Sequence, residues 1–209
     1  YATFEFDSVP GGTKSEIRTW TLSETPNSIK GDNTLDISVK RVKGGLVTNW
    51  LHNHAQIGLQ VKLHGVQGDM TAVYFDEQGK PTAPEHILLL SAGIGITPSV
   101  AMVRGVGAFE LQNQTNIIMI HVERHEKDLI FQSELHRRAR NYPNFKLTNV
   151  SSSTQGRLTR DKLKELLPST KSDNLTKQQA YICGPSRFMT DMTDHLVALG
   201  VPAGNIHTE

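Results

Sequence analysis

The chain has 209 residues, enough for one large domain or two small ones, each with its own core. Charged residues make up 21% and the formal net charge is only +1, so no global field draws the chain toward nucleic acid or an anionic membrane. A single cysteine excludes an internal disulfide and any all-cysteine iron–sulfur or zinc site in these residues, and it fits a reducing, cytoplasmic setting.

Taken in order, Tyr1–Phe6 alternates apolar and polar residues like a half-buried strand, with no basic head or apolar centre of a signal peptide. Both ends look cut, since this strand starts without a methionine and Ile206-His207-Thr208-Glu209 stops without a tail, so a fragment of a longer chain is expected. Thr19–Ser23, Leu35–Lys40, Val61–His64 and Thr71–Phe75 are β-rich and separated by Gly, Pro, Asn and Asp. With one short helix over Leu46–His54, they predict a compact antiparallel barrel. Asp76–Glu85, containing Gly79, Pro81 and Pro84, reads as a linker.

Beyond it the rhythm changes. Ile87–Ser91, Ile117–Val122, Phe145–Val150 and Ala180–Cys183 are strands of the buried type. Helical patterns alternate with them: Ser99–Val106, an amphipathic stretch Leu129–Asn141 carrying Leu135 with Arg and His on its outer face, Thr159–Leu167, and Phe188–Leu199 ending at Gly200. Such alternation predicts a doubly wound parallel sheet covered on both faces. The expected architecture is an antiparallel β half over residues 1–80 followed by an α/β half over residues 81–209.

Four segments carry chemistry. Ser91-Ala-Gly93-Ile-Gly95-Ile-Thr97-Pro98 follows a strand and opens a helix, where glycines let the backbone approach a pyrophosphate and free N–H groups face it. Pro98 replaces the third glycine of the usual pattern and suits a first helical turn. Taken alone, this could equally be an ordinary glycine turn. Tyr181-Ile-Cys183-Gly184-Pro185 sits at another strand end, where a thiol could pack against a planar ring or be a plain core cysteine. Arg18-Thr19-Trp20-Thr21 sets Arg18 and Trp20 on one strand face, a cation for phosphate and an indole for stacking, unless the tryptophan is only core. Gly44-Gly45-Leu46-Val47-Thr48 makes a second anion-binding helix start, or a simple strand–helix junction.

Their order along the chain resembles the ferredoxin–NADP reductase superfamily, in particular its phthalate-dioxygenase-reductase and flavohaemoglobin-reductase branches. The resemblance implies a flavoprotein NAD(P)H oxidoreductase. Arg18 would contact the flavin phosphate, Trp20 would stand where tyrosine is usual, and Thr21 would bond near flavin N5. Gly45, Leu46, Val47 and Thr48 would cradle the flavin phosphates, which favours FAD over FMN. Gly93, Gly95, Ile96, Thr97 and Pro98 would form the pyrophosphate turn for NADH or NADPH. Cys183, Gly184 and Pro185 would border the nicotinamide, with Thr21, Cys183 and Glu209 nearest the reacting atoms. Glu123 could bond a ribose hydroxyl, while Arg124 with Lys127 nearby could hold a 2′-phosphate. No metal is required. The family's strand before the Tyr1–Phe6 segment and its aromatic residue after the terminal glutamate fall outside these residues, so flavin could be held weakly. Electrons would pass to an iron–sulfur, haem or molybdenum domain, with no nucleic acid or membrane involved. A stand-alone flavin reductase or oxidase, or a nucleotide-binding redox sensor, are the competing readings.

Overall fold

The computed structural model describes residues 1–24, 34–167 and 175–209. The chain opens with an antiparallel sheet in which β1 (Ala2–Asp7) lies between β2 (Ser15–Trp20) and β3 (Lys62–Val66). Strand alternation turns Ala2, Phe4 and Phe6 inward, where they meet Val47 of α1 (Leu46–His54). Trp20 closes this core with its ring 5.8 Å from Phe4 and 5.6 Å from Phe6. On the opposite face Thr3 and Thr19 share a hydroxyl hydrogen bond of 3.2 Å.

Strand boundaries differ from the sequence expectation here for an identifiable reason. Past Trp20 the chain leaves the ladder: Leu22 keeps a single bridge to Ile37, and the strand expected over Leu35–Lys40 reduces to that bridge. Ser23 donates its N–H to the Asp36 carbonyl at 2.9 Å, and its hydroxyl shares that carbonyl and contacts the Ser38 hydroxyl, both at 3.3 Å. A hydroxyl that satisfies backbone groups competes with regular pairing. The strand expected over Thr71–Phe75 contracts to β4 (Tyr74–Phe75), which pairs with β5 (Pro81–Thr82). The stretch read as a linker is therefore largely a hairpin, its turn fixed by Asp76 Oδ1 accepting the N–H groups of Gln78 and Lys80.

The rest of the chain builds a five-stranded parallel sheet from β6 (His86–Ala92), β7 (Asn116–Glu123), β8 (Phe145–Ser151), β9 (Gln179–Cys183) and β10 (Ile206–Thr208), in the order β10-β9-β6-β7-β8. Helices α2 (Ile96–Ala108) and α3 (Gln132–Asn141) cover one face through Val100, Val103 and Leu135 against Ile87 and Leu89. After the single turn α4 (Ser152–Gln155), helices α5 (Arg160–Leu166) and α6 (Ser186–Ala198) cover the other, with Leu163 and Leu196 on Leu88 and Leu90. Burial on both faces explains why Ile87–Leu90 is continuously apolar. The helix expected from Leu129 begins only at Gln132, because Phe131 adopts a left-handed φ of 59°. Successive strands run outward from β6 through β7 to β8, then return to β9 on the other side. That reversal opens a crevice beyond the carboxyl ends of β6 and β9.

The two halves are tied at several points. Ala72, fully buried, packs in the cluster of Ile87 and Leu89. The Tyr74 and Tyr181 hydroxyls lie 3.2 Å apart, Lys40 Nζ lies 3.1 Å from Glu123 Oε1, and Arg104 donates to the Ser23 carbonyl at 2.8 Å.

His121 of β7 is fully buried beside this junction, its Nδ1 2.9 Å from Ser91 Oγ. Burial pushes its pKa from 6.5 down to about 4, against a smaller upward pull from Glu123. An unfolded chain therefore protonates this imidazole near pH 6.5, and the folded chain only near pH 4. Stability should be independent of this group above pH 6.5 and fall as pH drops toward 4, by up to roughly 3 kcal/mol. Urea midpoints measured across that range should lose this part of the slope in His121→Gln. An unchanged slope in the mutant would contradict the assignment.

Candidate functional site

Residues of the antiparallel half flank the crevice at the strand ends, which opens as a cleft of about 480 Å³. Thr19, Trp20, Thr21, Ser38 and Lys40 line one wall; Ala92, Gly93, Ile94, Gly95 and Thr97 with Cys183, Gly184 and Pro185 line the other. Two strand–helix turns, one after β6 and one after β9, thus face two segments of the other half, Thr19–Thr21 and the Ser38–Lys40 stretch. The volume suits a ring-sized ligand bound between mostly apolar walls.

Gly93–Gly95 forms a tight 3₁₀ turn that runs directly into α2. Thr97 is buried, its hydroxyl donating to the Ile94 carbonyl at 3.0 Å, and Pro98 occupies the first turn of the helix. Gly93 takes a left-handed φ of 59°, and the direction of a Cβ there points toward Lys40 Nζ and Glu123 Oε1, 3.6 and 3.8 Å away. Gly95 is tighter: a Cβ would lie 2.5 Å from the Cys183 carbonyl carbon and 2.8 Å from Gly184 N. The absence of a side chain at Gly95 is what lets the two turns touch.

Cys183 is partly exposed in this cavity. Burial, and next the negative charge of Glu209, push its thiol up to about 11, so at neutral pH it is a thiol rather than a thiolate. Glu209, just past β10, donates its N–H to the Ile182 carbonyl at 3.3 Å. Its carboxyl is raised chiefly by burial, with the amino group of Tyr1 opposing and Asp69 reinforcing the shift. Sequence reasoning expected Thr21, Cys183 and Glu209 together; Thr21 and Cys183 share the cavity and Glu209 acts on Cys183 electrostatically.

The expected phosphate ligands of the β half lie apart from the cavity lining. Arg18 shares a strand face with Trp20, but its guanidinium is paired with Glu16 at 3.1 Å and donates to the Ile17 carbonyl at 2.7 Å. Gly45 precedes α1 and Leu46, Val47 and Thr48 form its first turn; Thr48 Oγ1 accepts the Val42 N–H at 3.3 Å. A Cβ on Gly12 would meet both Glu16 and Leu46, so the Arg18–Glu16 pair adjoins the start of this helix.

Glu123, read as a ribose ligand, is instead buried and committed to Lys40, with its other oxygen accepting the Arg124 N–H at 3.1 Å. Arg124 is exposed, beyond the carboxyl end of β7. A depression of about 600 Å³ opens at this edge, lined by Glu126, Gln132, His136, Asn149, Ser151 and Gln155 among others. Lys40 and Ser38 were not singled out from the sequence; their only signal was a polar alternation in Ser38-Val-Lys40.

Comparison with known proteins agrees with this geometry. A family model described as the oxidoreductase NAD-binding domain matches residues 89–194, from β6 into α6. The ferredoxin reductase component of 3-ketosteroid-9-alpha-monooxygenase from Mycolicibacterium smegmatis is 32% identical over 199 residues, 94% of this chain and 51% of that protein. Flavohemoprotein A from Dictyostelium discoideum is 31% identical over 206 residues, 95% of this chain and 48% of that protein. The chain spans about half the length of these curated relatives. Among solved structures, the flavohem-like FAD/NAD-binding domain of nitric oxide dioxygenase from Vibrio cholerae O1 biovar El Tor superposes with a TM-score of 0.75 at 25% identity, over 100% of this chain and 82% of that one. A cytochrome P450 reductase from Amycolatopsis shares the fold, with a TM-score of 0.77 at 22% identity over 100% of this chain and 59% of that one. The expected order, an antiparallel sheet followed by a doubly wound parallel one, is borne out.

Proposed function

The chain belongs to the oxidoreductase NAD-binding domain family, and from that premise we propose that it is a flavin-dependent NAD(P)H oxidoreductase module. Residues 1–80 would hold FAD and residues 81–209 the nicotinamide nucleotide. The observation that carries the reading is the shared cavity, in which Trp20 and Thr21 face the Gly93–Thr97 turn and Cys183. FAD, when bound, supplies an acceptor that takes two electrons together and releases them singly. The residues present fit it: an arginine beside a helix start for phosphates, an indole and a hydroxyl at the cavity wall, and a 480 Å³ space open to both halves.

In this reading Arg18 and the backbone of Gly45, Leu46, Val47 and Thr48 hold the flavin phosphates, while Trp20 and Thr21 orient the ring. Gly93, Gly95, Ile96, Thr97 and Pro98 receive the pyrophosphate of the nucleotide, and Cys183, Gly184 and Pro185 border its nicotinamide. Lys40 adds a cation at the cavity wall, close to the Gly93 turn. The work of these groups is alignment and exclusion of water, because the reacting atoms belong to the two bound molecules. The onward acceptor is a further redox domain or protein, as the oxygenase and flavohaem names of the relatives suggest.

Oxidation of NADH or NADPH with ferricyanide as acceptor tests the proposal. Turnover should appear only when FAD is supplied; turnover independent of added flavin, or none with it, counts against it. Arg18→Ala should raise the FAD dissociation constant by roughly ten- to a hundredfold, since a charged hydrogen bond to phosphate contributes on the order of 1.5–3 kcal/mol. Equal flavin affinity in mutant and parent would leave Arg18 as a partner of Glu16 only. Because Arg124 is exposed at the edge where a 2′-phosphate would fall and no free carboxylate of Glu123 opposes it, both coenzymes should serve. Their kcat/KM values should differ by less than about a hundredfold, and a much larger ratio would refute dual use.

A further inference from the structure

We propose that Arg104, on α2, is a positioning residue that sets the nucleotide-binding turn against the flavin side of the cavity. The inference rests on the functional reading above and adds a residue that no motif marks. Arg104 sits among apolar and glycine residues, in Met102-Val-Arg-Gly-Val-Gly-Ala108. Its side chain is only 23% exposed.

All three guanidinium nitrogens are used, and on two different halves of the molecule. Nε and Nη2 grip the Glu134 carboxylate of α3 at 3.0 and 2.6 Å, in the two-pronged geometry particular to arginine. Nη1 donates to the Ser23 backbone carbonyl of the antiparallel half at 2.8 Å. The guanidinium carbon lies 5.5 Å from the centre of the Phe131 ring. Arg138 donates to the same Glu134 at 3.3 Å, which fixes the carboxylate in turn. Arg104 and Arg138 together hold the Glu134 carboxyl below the usual range, against the opposing effect of burial.

Both ends of this tie lead into the cavity. Along the helix, Arg104 lies about 12 Å from Ile96, where α2 leaves the Gly93–Gly95 turn. Along the other segment, Ser23 follows the cavity residue Thr21 by two positions. Ser23 is 1% exposed, its N–H donates to the Asp36 carbonyl, and its hydroxyl contacts Asp36 and Ser38. The link therefore joins two packed segments, each leading to one wall of the cavity. A shift of about 1 Å between reacting groups lowers a rate on the order of a hundredfold. A fork that serves only α2 and α3 would have no use for the third contact.

The test compares Arg104→Met, which removes every contact, with Glu134→Gln, which weakens the α3 grip but leaves the Ser23 donor in place. Anaerobic stopped-flow on the FAD-loaded chain gives the limiting rate of flavin bleaching and the NADH dissociation constant separately. Hydrogen exchange at the Ser23 amide, which donates to the Asp36 carbonyl, is read on the chain without cofactors. Arg104→Met should slow the limiting rate at least tenfold, leave the NADH dissociation constant within about threefold, and speed Ser23 exchange relative to Ile120 in the central sheet. Glu134→Gln should lose thermal stability to a similar degree yet keep the rate within about threefold. If Arg104→Met does not fold, Arg104→Lys replaces it, and a slower limiting rate with protected Ile120 is again expected. Equal loss of stability in both variants, with rate and Ser23 exchange unchanged, would reduce Arg104 to a bond between two helices and overturn the proposal. If the parent chain fails to bleach, the functional reading falls, while Ser23 exchange alone still decides whether the tie exists.

Discussion

Gly95→Val is expected to lose nicotinamide-nucleotide affinity by at least about a hundredfold and to lower the melting temperature of the chain. The first Cβ atom would press on the backbone of Cys183 and Gly184, 2.5 and 2.8 Å away, and valine adds two methyl groups beyond it. Neither side can yield easily. β6 and β9 are hydrogen-bonded neighbours, with Ser91 paired to Cys183, and Gly95 is itself buried at the head of α2. Overpacking of this kind commonly costs about 1–3 kcal/mol in a deformable side-chain core and more against backbone. Sequence reasoning assigned this glycine to the approach of a pyrophosphate. The structure adds that the turn at Gly93–Gly95 and the turn at Cys183–Gly184 would be displaced together, so on the proposed reading both nucleotide contacts would suffer. Gly93→Ala provides the contrast: it meets only Lys40 and Glu123 at ordinary contact distance, and its penalty is the left-handed φ, roughly 1–2 kcal/mol. Nucleotide titration and thermal melting of both variants check this, and a Gly95→Val chain that binds nucleotide normally would contradict it.

Replacing Cys183 should slow reduction of the flavin without removing either cofactor. With its pKa pushed up to about 11, the thiol is neutral at working pH and cannot serve as a nucleophile. It can fill space against the nicotinamide ring, and loss of that packing misplaces the reactants. Cys183→Ala should lower the bleaching rate on the order of a hundredfold, and Cys183→Ser by less, because the hydroxyl retains most of the volume. The parent rate should show no thiol ionisation between about pH 7 and 9, the range in which an unperturbed cysteine titrates. Rates at the parent level in both variants would leave Cys183 as a core residue with no part in aligning the nicotinamide.

The α/β half was legible because both faces of its sheet are covered. Ile87–Leu90 and Ile117–Val122 are apolar runs of strand length, and the glycine turn after the first run marks the strand–helix junction wherever it occurs. β10 escaped notice because Ile206-His207-Thr208 is too short for periodicity and becomes a strand only through the parallel edge of β9. In the antiparallel half, the extent of pairing depends on side-chain bonds such as those of Ser23, which no alternation pattern encodes. The same limit applies to the site. Trp20, Thr21, Gly93, Gly95, Thr97 and Cys183 announce themselves through local motifs, and the fold brings them to one cavity. The pairing of Glu123 with Lys40 was not legible, because the two stand 83 residues apart. Arg104 could have been suspected on one ground only: a lone cation within an apolar helix must find buried acceptors.

The account turns on whether nicotinamide and flavin meet in the cavity between the two halves. Anaerobic stopped-flow mixing of the FAD-loaded chain with NADH, and with NADH deuterated at the transferred C4 position, measures this directly. The prediction is full bleaching of the flavin, slowed several-fold by deuterium. A chain that binds both molecules yet leaves the flavin oxidised would contradict the account.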